Sequence, residues 1–170
     1  MPRYEADPSN VTTSITILPK DEYEFVLGRP KAFERTAKAG HQSYGVRIPV
    51  TVVGGPQNGK RTIISLYLHS DGAQQMAKRF QMAVAGYTVN ERNESAYDKD
   101  VAGKNWSYDT TDGSVGEAWA EYEGKHVACA VDVGFRKDEQ GNAVLDNNGA
   151  EIEQQEWGTW MPIEGAAVGS

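Results

Sequence analysis

The sequence predicts an all-β domain with one helix, in which five strands form a small, partly open barrel. Three observations predict it. Five runs alternate apolar and polar residues with a period of two, one run between the third and fourth of them has helical spacing, and Gly- or Pro-containing turns separate them. The 170 residues suit one domain with a sizeable core.

Residues 1–20 read as an arm. Asp7-Pro8-Ser9-Asn10 breaks structure, and the Thr/Ile run up to Leu18-Pro19 has the character of an edge strand. The first strand starts at Asp21. Tyr23, Phe25 and Leu27 alternate with Glu24 and Val26, and extended chain is expected to continue to Arg35 before a polar loop over 36–43. The second strand, Tyr44 to Val53, points Tyr44, Val46, Ile48, Val50 and Val52 one way and Arg47, Pro49 and Thr51 the other. Pro49 has no donor, which argues for an edge or a bulge there. After the Gly54–Gly59 turn, Lys60 to His69 is the third strand. Asp71, with Gln74 three residues on, reads as a capping box opening a helix whose Ala73, Met76, Ala77, Phe80, Val84 and Tyr87 fall on one face and which stops near Gly86. Residues 88–116 have no strong period, and 115–122 suggest a short helical turn around Trp119. The fourth strand runs from Lys125 to Phe135. Residues 136–151 read as a long polar hairpin loop, and no internal repeat is visible along the chain. Glu153 to Pro162 is the fifth strand, and 163–170 a tail. Five strands with a helix between the third and fourth is the layout of the OB-fold, so residues 21–162 are expected to form one OB-fold domain.

The net charge of −7 is unevenly placed. Residues 1–89 carry 11 Lys/Arg against 7 Asp/Glu, a surplus of +4, and residues 90–170 carry 6 against 17, a deficit of −11. An acidic body can hold a basic face, because exposed charges farther apart than a Debye length of ~8 Å are largely screened. The N-terminus lacks the apolar core of a signal peptide and no run reaches the ~18 apolar residues of a membrane span, so a cytoplasmic protein with no membrane partner is expected.

Several patterns invite chemistry that their context rejects. Gly54-Gly-Pro-Gln-Asn-Gly59-Lys60 starts like a phosphate-binding loop, but Arg61 follows where Ser or Thr must reach the metal, and strand patterns flank it on both sides. The acidic stretches Asp109–Asp112 and Asp138–Glu151 lack calcium-loop spacing. His41, His69 and His126 lack the short spacings of metal ligands. Cys129 alternates with core residues and reads as a small buried hydrophobe. No catalytic residue, metal or cofactor is therefore expected.

The pattern that carries function lies between residues 29 and 47. Arg29, Lys31, Phe33, Arg35, Lys38, His41, Tyr44 and Arg47 mix cations with flat rings. A positive groove following phosphates, with rings on which bases stack, is how single strands are held. Phe33 has a cation two residues away on each side, which in extended chain puts the three on one face. Arg61, Tyr67 and His69 join Arg47 on the outer sides of the second and third strands, and Trp157 offers a further ring. OB-folds bind oligonucleotides on that face and the adjoining loops.

Ile17-Leu-Pro-Lys-Asp-Glu-Tyr-Glu-Phe25, Val53-Gly-Gly-Pro-Gln-Asn-Gly-Lys-Arg-Thr62, and Leu66-Tyr-Leu-His-Ser-Asp-Gly72 with the Lys78-Arg-Phe helix resemble a family of phage-encoded single-stranded-DNA-binding proteins. The resemblance spans roughly residues 15–135. It implies an OB-fold and a place in phage DNA replication or recombination, in the host cytoplasm, and it supplies no binding residues. The expected partner is single-stranded DNA, bound without sequence preference and without catalysis. Replication or recombination proteins and a further copy of the chain are secondary partners. The end, Ile163-Glu-Gly-Ala-Ala-Val-Gly-Ser170, has one acid and no terminal aromatic, so recruitment through an acidic tail is not expected. The alternative is a protein-interaction or assembly module of a phage, favoured by the acidic second half.

Overall fold

The computed structural model of the chain describes residues 17–36, 40, 42–138 and 140–163. Most of the expected arm and tail, together with Lys38 and His41, lie outside the described residues. The framework is a six-stranded antiparallel sheet that does not close on itself, made of β1 (Asp21–Leu27), β2 (Lys31–Thr36), β3 (Gln42–Val53), β4 (Arg61–Tyr67), β7 (His126–Phe135) and β8 (Glu153–Met161). β3 pairs with β2 and β1 on one side and β4 on the other, and β1 continues through β7 to β8. Between β4 and β7 come α1 (Asp71–Val84), α2 (Glu91–Val101), the two-residue strands β5 (Tyr108–Asp109) and β6 (Ser114–Val115), and α3 (Glu117–Ala120).

The alternation read from sequence matches the buried face. Phe25, Val46, Ile48, Val50, Val52, Ile64, Leu66, Val127 and Cys129 are buried on the inner side of the sheet. α1 closes over them with Ala77, Phe80 and Ala83, and the Phe80 ring meets Trp160 edge-on with centroids 4.8 Å apart. A smaller cluster of Met82, Tyr87 and Tyr97 fixes α2 against the back of α1. Cys129 lies in the main core, where burial pushes its thiol up to about 12.

Four expectations need correction. The first strand is not continuous to Arg35. It breaks at 28–30, so the helix expected after the third strand follows the fourth. Leu27 stands opposite Val50 and Lys31 opposite Arg47, so the chain uses one residue more than β3 across the break. That extra residue reverses the parity of everything after it. Gly28 is required at the break, because a Cβ there would lie 2.9 Å from Pro49 Cγ. Its amide donates to the Pro49 carbonyl at 2.7 Å. Proline therefore sits in a strand paired on both sides without leaving a neighbour short of a donor: the missing N–H faces the break.

The helix begins one residue earlier than expected. Ser70 is the N-cap, its Oγ accepting from the Ala73 amide at 3.1 Å, and Gln74 reaches back to the Leu68 carbonyl rather than to the cap. Residues 88–116, which show no period, hold α2 and the β5–β6 hairpin. α2 is capped by Asn90, whose side chain accepts from the Asn93 amide at 2.9 Å, and it hides only Asn93 and Tyr97, too few buried residues to print a periodic stripe. Finally, residues 136–152 do contain a repeat. The Asp138 carboxylate accepts from the amides of Gln140 and Asn142, and eight residues on Asp146 accepts from those of Asn148 and Ala150. Gly141 and Gly149 take the positive-φ position of each turn.

Truncating the ring at the centre of this packing tests the core assignment. Phe80→Ala is expected to lower unfolding free energy by about 3–5 kcal/mol in urea titration. A loss under about 1 kcal/mol would mean that α1 does not close the core.

Candidate nucleic-acid interface

The outer face of the β2–β3–β4 sector is built row by row from the strand register, since directly opposed residues share a face. Phe33, Gly45 and Tyr67 form one row, Lys31, Arg47 and Ser65 the next, and Thr51 and Arg61 a third, with Arg35 opposite Ser43 at the far end. The structure thus brings Lys31, Phe33, Arg35, Arg47, Arg61 and Tyr67 to one side of the sheet. Arg29 is exposed in the break just before β2.

The cations on this face are exposed, and among the described residues none of Arg29, Lys31, Arg35, Arg47 and Arg61 is in an ion pair. Lys31 directly opposite Arg47 is an unfavourable pairing, because like charges across a ladder repel. The repulsion is eased locally, because the Arg47 guanidinium lies over the Phe33 ring at 4.3 Å from its centroid, a cation–π contact.

Phe33 departs from expectation. It is 7 % exposed, not an open platform. The reason is Gly45 across the ladder. With no side chain there, Phe33 and Tyr67 meet above it, rings edge-on at 5.5 Å, while Arg47 covers the remaining face. A Cβ on Gly45 would fall 1.9 Å from the Leu66 carbonyl oxygen, so this hollow admits no larger residue.

From Tyr67 the rings continue. Tyr67 meets His69 at 5.6 Å, His69 meets Tyr44 at 6.0 Å, and Tyr44 meets Tyr108 of β5 at 6.3 Å. Tyr44, Tyr67 and Tyr108 are half-buried and His69 is exposed. Tyr108 is a ring that the sequence did not single out. The available signal was the turn Asp109-Thr-Thr-Asp-Gly113 placed between it and Val115, a hairpin signature in an otherwise featureless stretch. Burial, followed by its neighbour Tyr44, raises the Tyr108 phenol above its ordinary pKa, so it stays neutral.

Trp157 does not belong to this face. It lies opposite Val131 and packs on the inner side, edge-on to Phe25 at 5.6 Å and stacked on Trp160 at 5.3 Å. There it lines a groove of about 160 Å³ between β4, β8 and α1. Between Trp157 and Trp160 β8 uses three steps where β7 uses two, from Val131 to Cys129, and this extra residue lets both tryptophans face inward, which an alternation count cannot anticipate.

Beyond Tyr108 opens a cleft of about 650 Å³ between α1 and α2. Gln75, Lys78 and Gln81 of α1, Glu94 and Tyr97 of α2, and Trp106 line it. Lys78 bonds Glu94 at 2.7 Å and Asp98 at 2.9 Å. Burial alone would lower its pKa, but these two carboxylates outweigh it and hold the ammonium above its ordinary value. Burial pushes Tyr97 up to about 12. Among the described residues no group of three or more His, Cys, Asp or Glu is placed to hold a metal ion, and no helix is long and apolar enough to cross a membrane. Compared with known proteins, the chain matches no family model and no curated sequence.

Because Phe33 is enclosed by Tyr67 and Arg47, Phe33→Ala should cost about 2–4 kcal/mol of stability by thermal or urea unfolding. An unchanged stability would restore Phe33 to the open surface. Cys129, with its thiol held up near 12 by burial, should resist a thiol reagent at pH 8 in the native protein and react once urea unfolds it. Rapid labelling of the native state would place it outside the core.

Proposed function

We propose that this protein binds single-stranded DNA, without catalysis, across the outer face of β2, β3 and β4, and that it serves phage DNA replication or recombination. The observation that carries the reading is the exposed Lys31–Arg47 pair, two cations set directly opposite each other beside a line of rings. A polyanion on that face converts their repulsion into attraction. Arg35, Arg61 and Arg29 extend the positive charge to either side, and Lys38 is expected to add to it. The guanidinium of Arg47, backed by Phe33, presents a plane, and Tyr67 and His69 present rings. Bases stack on arginine planes as well as on aromatic faces.

The fold supports the reading. If β1 and β2 count as one bent strand, β4, β3, β1 and β7 lie side by side as the third, second, first and fourth strands. That is the Greek-key order, which the OB-fold shares, and the proposed face is then the one through which OB-folds bind oligonucleotides. The resemblance of the Leu18-Pro19, Gly55-Pro56 and Lys78–Phe80 segments to phage single-strand binders points the same way and supplies the phage setting.

A second reading has its own observation. Asp132 stands directly opposite Glu156 at the other end of the sheet, where a basic protein partner would relieve their repulsion. On that reading the chain is an assembly module, and it does not bind DNA.

Tryptophan fluorescence titrated with oligo-dT at increasing salt separates the two. Binding should weaken with salt, with a slope of about −0.7 per neutralised phosphate, and Arg47→Ala should reduce that slope by about one such unit. Arg47→Lys should keep the slope yet lose about 1–3 kcal/mol, because the charge remains and the plane does not. No binding at micromolar protein in low salt would favour the assembly module.

A further inference from the structure

Tyr108 stands at a junction. On one side it meets Tyr44, the last ring of the ladder that begins at Phe33, and on the other it lines the cleft between α1 and α2. The ring contacts thus run from the outer face, past Tyr44 at the end of β3, to the lining of that cleft.

The cleft differs in chemistry from the sheet face. Its lysine, Lys78, is committed to Glu94 and Asp98, and Asp71 adds another carboxylate to the lining. Phosphate is not favoured there. What the cleft offers is neutral: the half-buried rings of Trp106 and Tyr108, and the carboxamides of Gln75 and Gln81. Gln74 already donates to the Leu68 carbonyl at 3.0 Å, whereas among the described residues the side chains of Gln75 and Gln81 have no hydrogen-bond partner. A carboxamide carries two donors and an acceptor, the complement of a nucleobase edge, and glutamine pairs in this way with adenine. A flat, uncharged heterocycle with donors and acceptors on its rim is the ligand that fits both the rings and the amides.

We infer that the cleft between α1 and α2 takes a nucleobase of the strand bound on the sheet face, stacked against Trp106 and read by Gln75 and Gln81. Affinity then arises on the sheet face and base preference in the cleft. The inference rests on the single-stranded-DNA reading above.

The test compares binding of short dT, dC and dA homopolymers by the full chain, the double variant Gln75→Ala/Gln81→Ala, and Arg47→Ala. Hydrogen bonds of ordinary strength should separate the best and worst homopolymers by about fivefold or more in the wild type. The double variant should level them to within about twofold at an unchanged salt slope. Arg47→Ala should weaken all three alike. Gln75 is exposed and Gln81 half-buried on α1, neither lies in the core, and alanine is the better helix former, so the double variant should keep its fold, as circular dichroism would verify. Equal binding of the three homopolymers by the wild type, or a preference that survives the double variant, overturns the inference. The response of Arg47→Ala then reports separately on the sheet face. A wild type that binds no oligonucleotide removes both.

Discussion

Between Leu27 and Lys31 the chain uses four steps where β3 opposite it uses three, from Val50 to Arg47. This single extra residue governs what the sheet presents. In β1 the odd-numbered residues Tyr23, Phe25 and Leu27 face the core. Continued in regular register, the same parity would drive Lys31, Phe33 and Arg35 into the core beneath α1, where two of the three are charged. After the break the even-numbered Ala32 pairs with core residue Val46, and the odd residues turn outward beside Arg47. The break is stabilised by a close approach that only glycine permits at 28, and by a proline at 49 whose lack of a donor matters least at that point.

Charge follows the same division of the sheet. The β2–β3–β4 sector carries Lys31 against Arg47, and the β7–β8 sector carries Asp132 against Glu156. Each is a like-charge cross-strand pair, of opposite sign at opposite ends. Asp132 has partial relief from Lys20 at 3.8 Å, a contact too long and too exposed to contribute much. Neither like-charge pair adds to the stability of the sheet on its own. The net charge of −7 therefore describes the sum of the two ends and neither of them.

The sequence revealed the strands that alternate and the helix with a continuous apolar stripe, because β3, β4, β7 and α1 each bury one face completely against the same core. It did not reveal α2 or β5–β6, because α2 buries only Asn93 and Tyr97 and the hairpin strands have two residues each. The mixture of cations and rings between residues 29 and 47 was legible as composition. Its geometry was reached by an argument that holds only after a parity reversal the alternation did not record. Trp157 was misplaced for a related reason: an extra residue in β8 between Trp157 and Trp160 shifts its register, and strict alternation does not anticipate it.

The enclosure of Phe33 changes the meaning of the cluster without dissolving it. A solvent-facing phenylalanine would offer one ring on a mobile side chain. Here the ring is fixed by Tyr67 and by the absence of a side chain at Gly45, and it fixes Arg47 in turn. An arginine free in solvent loses rotational freedom when it stacks on a ligand, a cost of about 0.5–1.5 kcal/mol for a side chain of this kind. Much of that ordering is already present when the guanidinium rests on a ring at 4.3 Å. The buried ring thus contributes to the surface through the cation it orients, and in the proposed site Arg47 would be at once the charge and the plane.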